Sequence, residues 1–139
     1  MPLRAAEVQV GDSRELILVE DLTRTRIVQY AGASGDYNPL HTDEVFAKDV
    51  AGYPTVFAHG MLVMGMTGRI LTDWTGDARL TSYAVRFVGQ VWPGDTLTAR
   101  ATIDAVRDVN GERFVDLSVV TRNQRGDAVL TGTATARLD

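Results

Sequence analysis

Between His59 and Trp74 the chain carries Met61, Leu62, Val63, Met64, Met66, Ile70, Leu71 and Trp74, with the small Gly65 and Gly68 among them. A helix built from this stretch is apolar almost all round, and a helix of that kind is stable only when other parts of the chain wrap it. The wrapping material follows directly. Four strand-like stretches, Leu80 to Trp92, Thr96 to Val106, Arg113 to Thr121 and Ala128 to Arg137, are separated by the turn sequences Pro93-Gly94-Asp95, Asn110-Gly111 and Arg125-Gly126-Asp127. Tyr83, Val85 and Phe87 alternate with Ala84 and Arg86, and Leu117 and Val119 alternate with Asp116 and Ser118. That period of two puts one face of a sheet on a core and the other towards solvent. An earlier strand, Glu15 to Val19, enters from a Gly11-Asp12 turn and is expected at or near a sheet edge. The economical arrangement is α+β: a long central helix wrapped by a curved antiparallel sheet, one domain over residues 1–139. Such a sheet leaves edge strands that a second copy could cover, so a dimer is expected.

The segment before the central helix has a different character. Thr23 is a candidate N-cap for a short helix carrying Ile27, Val28, Tyr30 and Ala31, which Gly32 to Gly35 would end. Thr42 is expected to cap a second short helix, with Asp43 and Glu44 in its first turn and Val45, Phe46 and Val50 facing inward, stopped by Gly52 and Pro54. Between the two lies Ser34-Gly35-Asp36-Tyr37-Asn38-Pro39-Leu40-His41. Gly35, Asn38 and Pro39 prevent a continuous helix or strand there. Residues five apart point about 140° away from each other in a helix and to opposite faces in a strand, so only a bent loop aims Asp36 and His41 at one point. Ala58-His59-Gly60-Met61-Leu62 then opens the apolar helix. The loop is read as the source of acid/base groups and the helix start as an oxyanion site.

Charge and composition remove several function classes. A formal net charge of -4 with no basic cluster argues against nucleic acid or an anionic membrane as partner. The most apolar window, Val56 to Leu71, is interrupted by His59 and Arg69 and is too short to span a bilayer, and the first ten residues have no apolar run of the signal type, so a cytoplasmic protein is the default. With no cysteine there are no disulfides and no thiolate chemistry. His41, His59 and the carboxylates show no metal-ligand spacing, so neither a metal nor a cofactor is expected.

Tyr30 to His41, read Tyr-Ala-Gly-Ala-Ser-Gly-Asp-Tyr-Asn-Pro-Leu-His, followed by Ala58-His59-Gly60-Met61, resembles the hydratase-2 motif of the MaoC-like (R)-specific enoyl thioester hydratases, which are single hot-dog domains. Arg86-Phe87 with Val91-Trp92-Pro93-Gly94-Asp95-Thr96-Leu97 is similar to the strand and turn that follow in that family. Within it, Tyr-Ala-Gly-x-Ser-Gly-Asp, Ala-His-Gly-Met-Leu and Tyr-x-Val-Arg-Phe resemble most the catalytic subunits of the mycobacterial-type (3R)-hydroxyacyl-ACP dehydratases. The resemblance implies a catalytic pair at Asp36 and His41 and a thioester-oxygen contact from the backbone N–H of Gly60. It also implies an acyl-CoA or acyl-ACP substrate and a homodimer, or a heterodimer with another hot-dog subunit. The activity implied is (R)-specific hydration of trans-2-enoyl thioesters, or dehydration of (3R)-hydroxyacyl thioesters, in fatty-acid metabolism.

Hydration of such a substrate needs water at C3, a proton at C2 and a place for charge on the thioester oxygen. His41 can hold the water and take its proton while Asp36 orients it; which group serves C2 is left open. Gly60 N–H, in the first helical turn, has no intrahelical acceptor and lies at the positive end of the dipole. Asn38 reads as a residue that holds the loop so that Asp36 faces the substrate, and otherwise as an Asx-turn former. His59 reads as a contact at the oxyanion and substrate site, either as a structural hydrogen-bonding group or as a second catalytic imidazole. Arg79 and Arg86 are either phosphate contacts or solvated charges, and Met61, Met64 and Met66 either core or acyl-pocket lining. The competing activities are a hot-dog acyl-thioester hydrolase, which generally needs a carboxylate on the long helix where Met61 to Thr72 has none, and a subunit of a heterodimeric dehydratase acting on long-chain or steroid side-chain acyl thioesters.

Overall fold

The computed structural model describes residues 2–139. Strand β1 (Ser13–Val19) is followed by helix α1 (Arg24–Ser34), a 3-10 turn at Pro39–His41, a π-type turn at Phe46–Val50, helix α2 (Gly60–Thr75), and strands β2 (Leu80–Phe87), β3 (Leu97–Val109), β4 (Glu112–Arg122) and β5 (Ala128–Leu138). All pairings are antiparallel and the order is β1-β3-β4-β5-β2, so β1 and β2 are the two edges. The central pair β3/β4 is in register from Thr98↔Arg122 to Val109↔Glu112, with one irregularity between Ile103 and Ala105.

The period-two pattern produces the core. Ala99, Ala101 and Ile103 of β3, Val115, Leu117 and Val119 of β4, and Ala134 and Ala136 of β5 are all buried, as are Val63, Met66, Ile70, Leu71 and Trp74 of α2. Together they form one apolar cluster. The alanines on the sheet let the larger side chains of α2 seat closely, and each fully buried Leu or Ile contributes about 1.5–3 kcal/mol relative to exposure. Two polar contacts fix the helix on the sheet: Thr67 Oγ1 lies 2.7 Å from Thr121 Oγ1, and Tyr83 OH donates to the Met64 carbonyl at 2.8 Å. Burial pushes the Tyr83 phenol up to about 12, so it stays a donor at any physiological pH.

Three expectations change. The central helix is not wrapped on every side: Met61 is 57% exposed, and Gly65, Arg69 and Asp73 continue the exposed stripe at a spacing of four, because the sheet covers only one flank of α2. Strand β2 ends at Phe87 instead of Trp92; Val88 N–H bonds the Val129 carbonyl, and the chain then leaves the sheet so that the Val91 carbonyl accepts from Ala58 N–H. The second short helix is not capped by Thr42. Asp43 Oδ1 accepts from Phe46 N–H at 3.2 Å, and the turn closes in the wider i to i+5 pattern through Ala51 N–H and the Phe46 carbonyl. That pitch leaves Ala47 buried and turns Val45 and Val50 outward, 66% and 70% exposed. Helix α1, by contrast, starts as its sequence indicates, with Thr23 Oγ1 accepting from Arg26 N–H at 3.1 Å.

Gly132 of β5 lies where the edge strand comes closest, for a Cβ there would sit 2.6 Å from the Ala84 carbonyl oxygen of β2. Gly132→Ala is therefore expected to destabilise the fold by about 1–3 kcal/mol, the usual cost of overpacking, read as a lower urea midpoint.

Candidate active site

The site begins as a relay of short side chains bonding to the backbone two residues ahead. Ser34 Oγ accepts from Asp36 N–H at 3.1 Å, Asp36 Oδ1 from Asn38 N–H at 3.2 Å, and Asn38 Oδ1 from Leu40 N–H at 3.0 Å. Gly35 enters this relay with φ 75°, a left-handed conformation open to glycine at little cost, and its N–H closes α1 on the Ala31 carbonyl. Asn38 thus ties the Asp36 carboxylate to the start of the 3-10 turn that carries His41. Glu44, just beyond, is held by Arg24 and Thr55, and the Arg24 guanidinium keeps its carboxyl below the usual range.

His41 Nδ1 lies 2.6 Å from the Phe57 carbonyl, so it must be the protonated nitrogen, which leaves Nε2 with a free lone pair. His59 Nε2 lies 3.0 Å from the Asp36 carbonyl and must likewise donate. The two imidazoles stack, ring centres 3.8 Å apart at 25°, while Tyr30 meets His59 edge-on at 4.8 Å and Phe57 meets His41 edge-on at 5.2 Å. Asp36, His41 and His59 consequently bring one polar atom each within 4.8 Å of one another. Asp36 is exposed, His41 half-buried and His59 buried. Burial pulls the His41 pKa below 6.5; the Phe57 hydrogen bond opposes this, neighbouring His59 adds to it, and Asp36 works weakly against it. At neutral pH the ring is therefore an uncharged base.

Such a trio raises the question of a metal ion. The nitrogens left over, His41 Nε2 and His59 Nδ1, belong to rings stacked 3.8 Å apart, which direct their in-plane lone pairs side by side instead of at one point. The donor set does not fit a metal centre.

Helix α2 opens one residue after His59. Gly60 N–H, at the first helical position, has no acceptor within the helix. Gly60 lines a cavity of about 400 Å³ with Phe57, Ala58, Phe87, Val88, Gly89 and Gln90. Phe57 is the shared wall: it faces this cavity, while its ring and carbonyl contact His41. A Cβ on Gly60 would lie 3.0 Å from the Phe87 ring, so the close approach of that ring is what a side chain would disturb.

Asp36, Asn38, His41 and His59 are brought together and Gly60 lies beside them. Arg79 and Arg86 are elsewhere: Arg79 is paired with Asp139, and Arg86 lies exposed on β2. Met66 is in the core, Met64 half-buried and Met61 exposed. Phe57 and Phe87 were not foreseen. Phe57 acts through its carbonyl, which no side-chain pattern reveals, and Phe87 read only as one more inward residue of a strand.

The model of the MaoC like domain matches residues 6–124. The 3-hydroxyacyl-thioester dehydratase Y of Mycobacterium tuberculosis is 46% identical over 68 residues, 47% of this chain and 23% of that protein, so the chain spans well under half the length of that curated relative. The mitochondrial 3-hydroxyacyl-[acyl-carrier-protein] dehydratase of Arabidopsis thaliana is 33% identical over 134 residues, 91% of this chain and 80% of that protein. Among solved structures, the (R)-hydratase from A. caviae involved in PHA biosynthesis superposes with a TM-score of 0.83 at 26% identity, covering 96% of this chain and 98% of that one. The fold is thus the hot-dog arrangement of the MaoC-like structures.

Because the folded state holds fewer protons at His41 than the unfolded chain does, stability is expected to fall as pH drops from 6.5 towards the lowered pKa. An NMR titration of the two imidazoles should place His41 below 6.5, whereas a value above it would contradict the burial argument.

Proposed function

The chain belongs to the MaoC-like dehydratase domain family, and on that premise we propose that it is a hydro-lyase that hydrates trans-2-enoyl thioesters to (3R)-hydroxyacyl thioesters, or runs the reverse dehydration, in fatty-acid metabolism. The observation that carries this reading is the convergence of the neutral His41 ring and the Asp36 carboxylate beside the N-terminus of α2. In the hydration direction His41 Nε2 accepts a proton from water as the water oxygen bonds to C3. Asp36 orients the same water, and C2 receives its proton from this pair. Charge that builds on the thioester oxygen is met by Gly60 N–H, an orphan donor at the positive end of a sixteen-residue helix. Asn38 keeps Asp36 turned to the substrate through the two bonds it makes along the loop.

The acyl group is carried as a thioester of CoA or of an acyl carrier protein, and no cofactor is required. No helix among the described residues is long and apolar enough to cross a membrane; the proposed setting is the cytoplasm. The working unit is a dimer, of two copies or of this chain with another hot-dog subunit. Edge strand β2 and the exposed Met61, Phe87 and Val88, which adjoin the cavity at Gly60, support this.

Crotonyl-CoA or a longer enoyl-CoA mixed with the purified chain should lose its enoyl absorbance, and Asp36→Asn or His41→Gln should lower that rate by about 10²–10⁴. Near-native turnover in both variants would overturn the assignment. Sedimentation velocity should give a species heavier than the 15.1 kDa chain, and a stable monomer with full activity would remove the dimer from the proposal.

A further inference from the structure

His59 is the one buried imidazole that the chemistry above does not use, and its surroundings are unusually definite. It is 2% exposed, sits at the N-cap of α2 and makes no capping bond to the helix. Its Nε2–H reaches across 23 positions of sequence to the main-chain carbonyl of Asp36 at 3.0 Å. Its ring lies flat on His41 and is gripped edge-on by Tyr30. Its Nδ1 is buried with no hydrogen-bond partner among the described residues. A buried acceptor left unsatisfied costs on the order of 1–3 kcal/mol, so the ring does not occupy this place as a hydrogen-bonding group of the helix start.

We infer that His59 is a positioning residue: it holds the peptide that carries Asp36 and braces the plane of His41, so that carboxylate and base keep one mutual geometry. The inference rests on the proposed roles of Asp36 and His41. Phe57 holds the far end of the loop, its N–H on the Leu40 carbonyl at 3.3 Å and its carbonyl on His41 Nδ1, but around Asp36 the loop's own bonds run only between neighbours and set its bend without fixing that peptide to the core. The His59 bond joins the Asp36 peptide to the rigid end of α2. The imidazole is suited to both tasks because one flat ring supplies a donor in its plane and a stacking face above it. The vacant Nδ1 follows from the same choice, since a ring turned to place Nε2 on Asp36 leaves its other nitrogen against packed chain.

The test separates donor from stacking. His59→Phe keeps a flat ring against His41 and Tyr30 but removes the donor to Asp36; His59→Gln places an amide N–H where Nε2 stands and removes the ring. Each is measured for thermal stability, kcat and KM on an enoyl-CoA beside the wild type and Asp36→Asn. His59→Phe is expected to lower kcat on the order of 10²-fold, the scale of an ångström's misplacement, with KM changed less than threefold or so, and His59→Gln to recover at least about tenfold of that loss. Near-native kcat in His59→Phe, or equal losses in both variants in step with lost stability, would overturn the inference in favour of simple packing. If His59→Phe does not fold, ¹⁵N spectra of the wild-type imidazoles decide: His59 protonated at Nε2 supports the inference, and protonation at Nδ1 alone overturns it. An inactive wild type would instead bring down the hydration reading, so the two failures are distinct.

Discussion

The burial of one flank of α2 against the sheet is the contact on which the rest of the molecule hangs. Val63, Met66, Ile70, Leu71 and Trp74 are inserted among the small and branched side chains of β3, β4 and β5, and polar bonds at Thr67 and Tyr83 prevent the helix from sliding. With that flank fixed, the N-terminal end of α2 has a single location. His59 and Gly60 inherit it.

The loop that carries Asp36 has no comparable source of rigidity. Its relay of Ser34, Asp36 and Asn38 satisfies the backbone locally, and each such bond is worth about 1 kcal/mol. These bonds specify a shape but leave its place in the molecule open. Placement comes from what the loop touches: the Phe57 carbonyl accepts from His41 Nδ1–H, and the Arg24, Glu44 and Thr55 group ties the following turn to α1. A locally bent strap docked on a rigid helix end is a sound way to present exposed polar groups, because the strap can be solvated while the frame beneath it stays dry.

Burial also sets the charge. The catalytic reading of His41 needs an unprotonated ring, and partial burial with a second imidazole stacked on it favours that form. The exposed Asp36 stays among water, so the two groups of the proposed pair differ in environment over a few ångströms. The same economy explains Gly60: a glycine lets the Phe87 ring come up to the helix start, and the N–H that the helix cannot use is left beside the cavity.

Much of this was legible from residue order alone. The apolar run after His59, the alternation in β4, the Thr23 cap and the glycine turns are local signals whose physics acts over a few residues, and the structure follows them, whereas in β2 the expected inward Phe87 is 51% exposed. The bent Ser34–His41 loop belongs to the same class, since Gly35, Asn38 and Pro39 leave the backbone little else to do. Tertiary structure decided what depends on distant neighbours. Met61 and Gly65 are exposed because a five-stranded sheet reaches only part-way round α2, and Val50 turns outward because the preceding turn closes in a wider ring. The meeting of His59 with His41 and with the Asp36 carbonyl was likewise undecided by sequence. A ring nitrogen chooses its partner only when packing brings a carbonyl within 3.0 Å, and nothing in the order of the residues contains that distance.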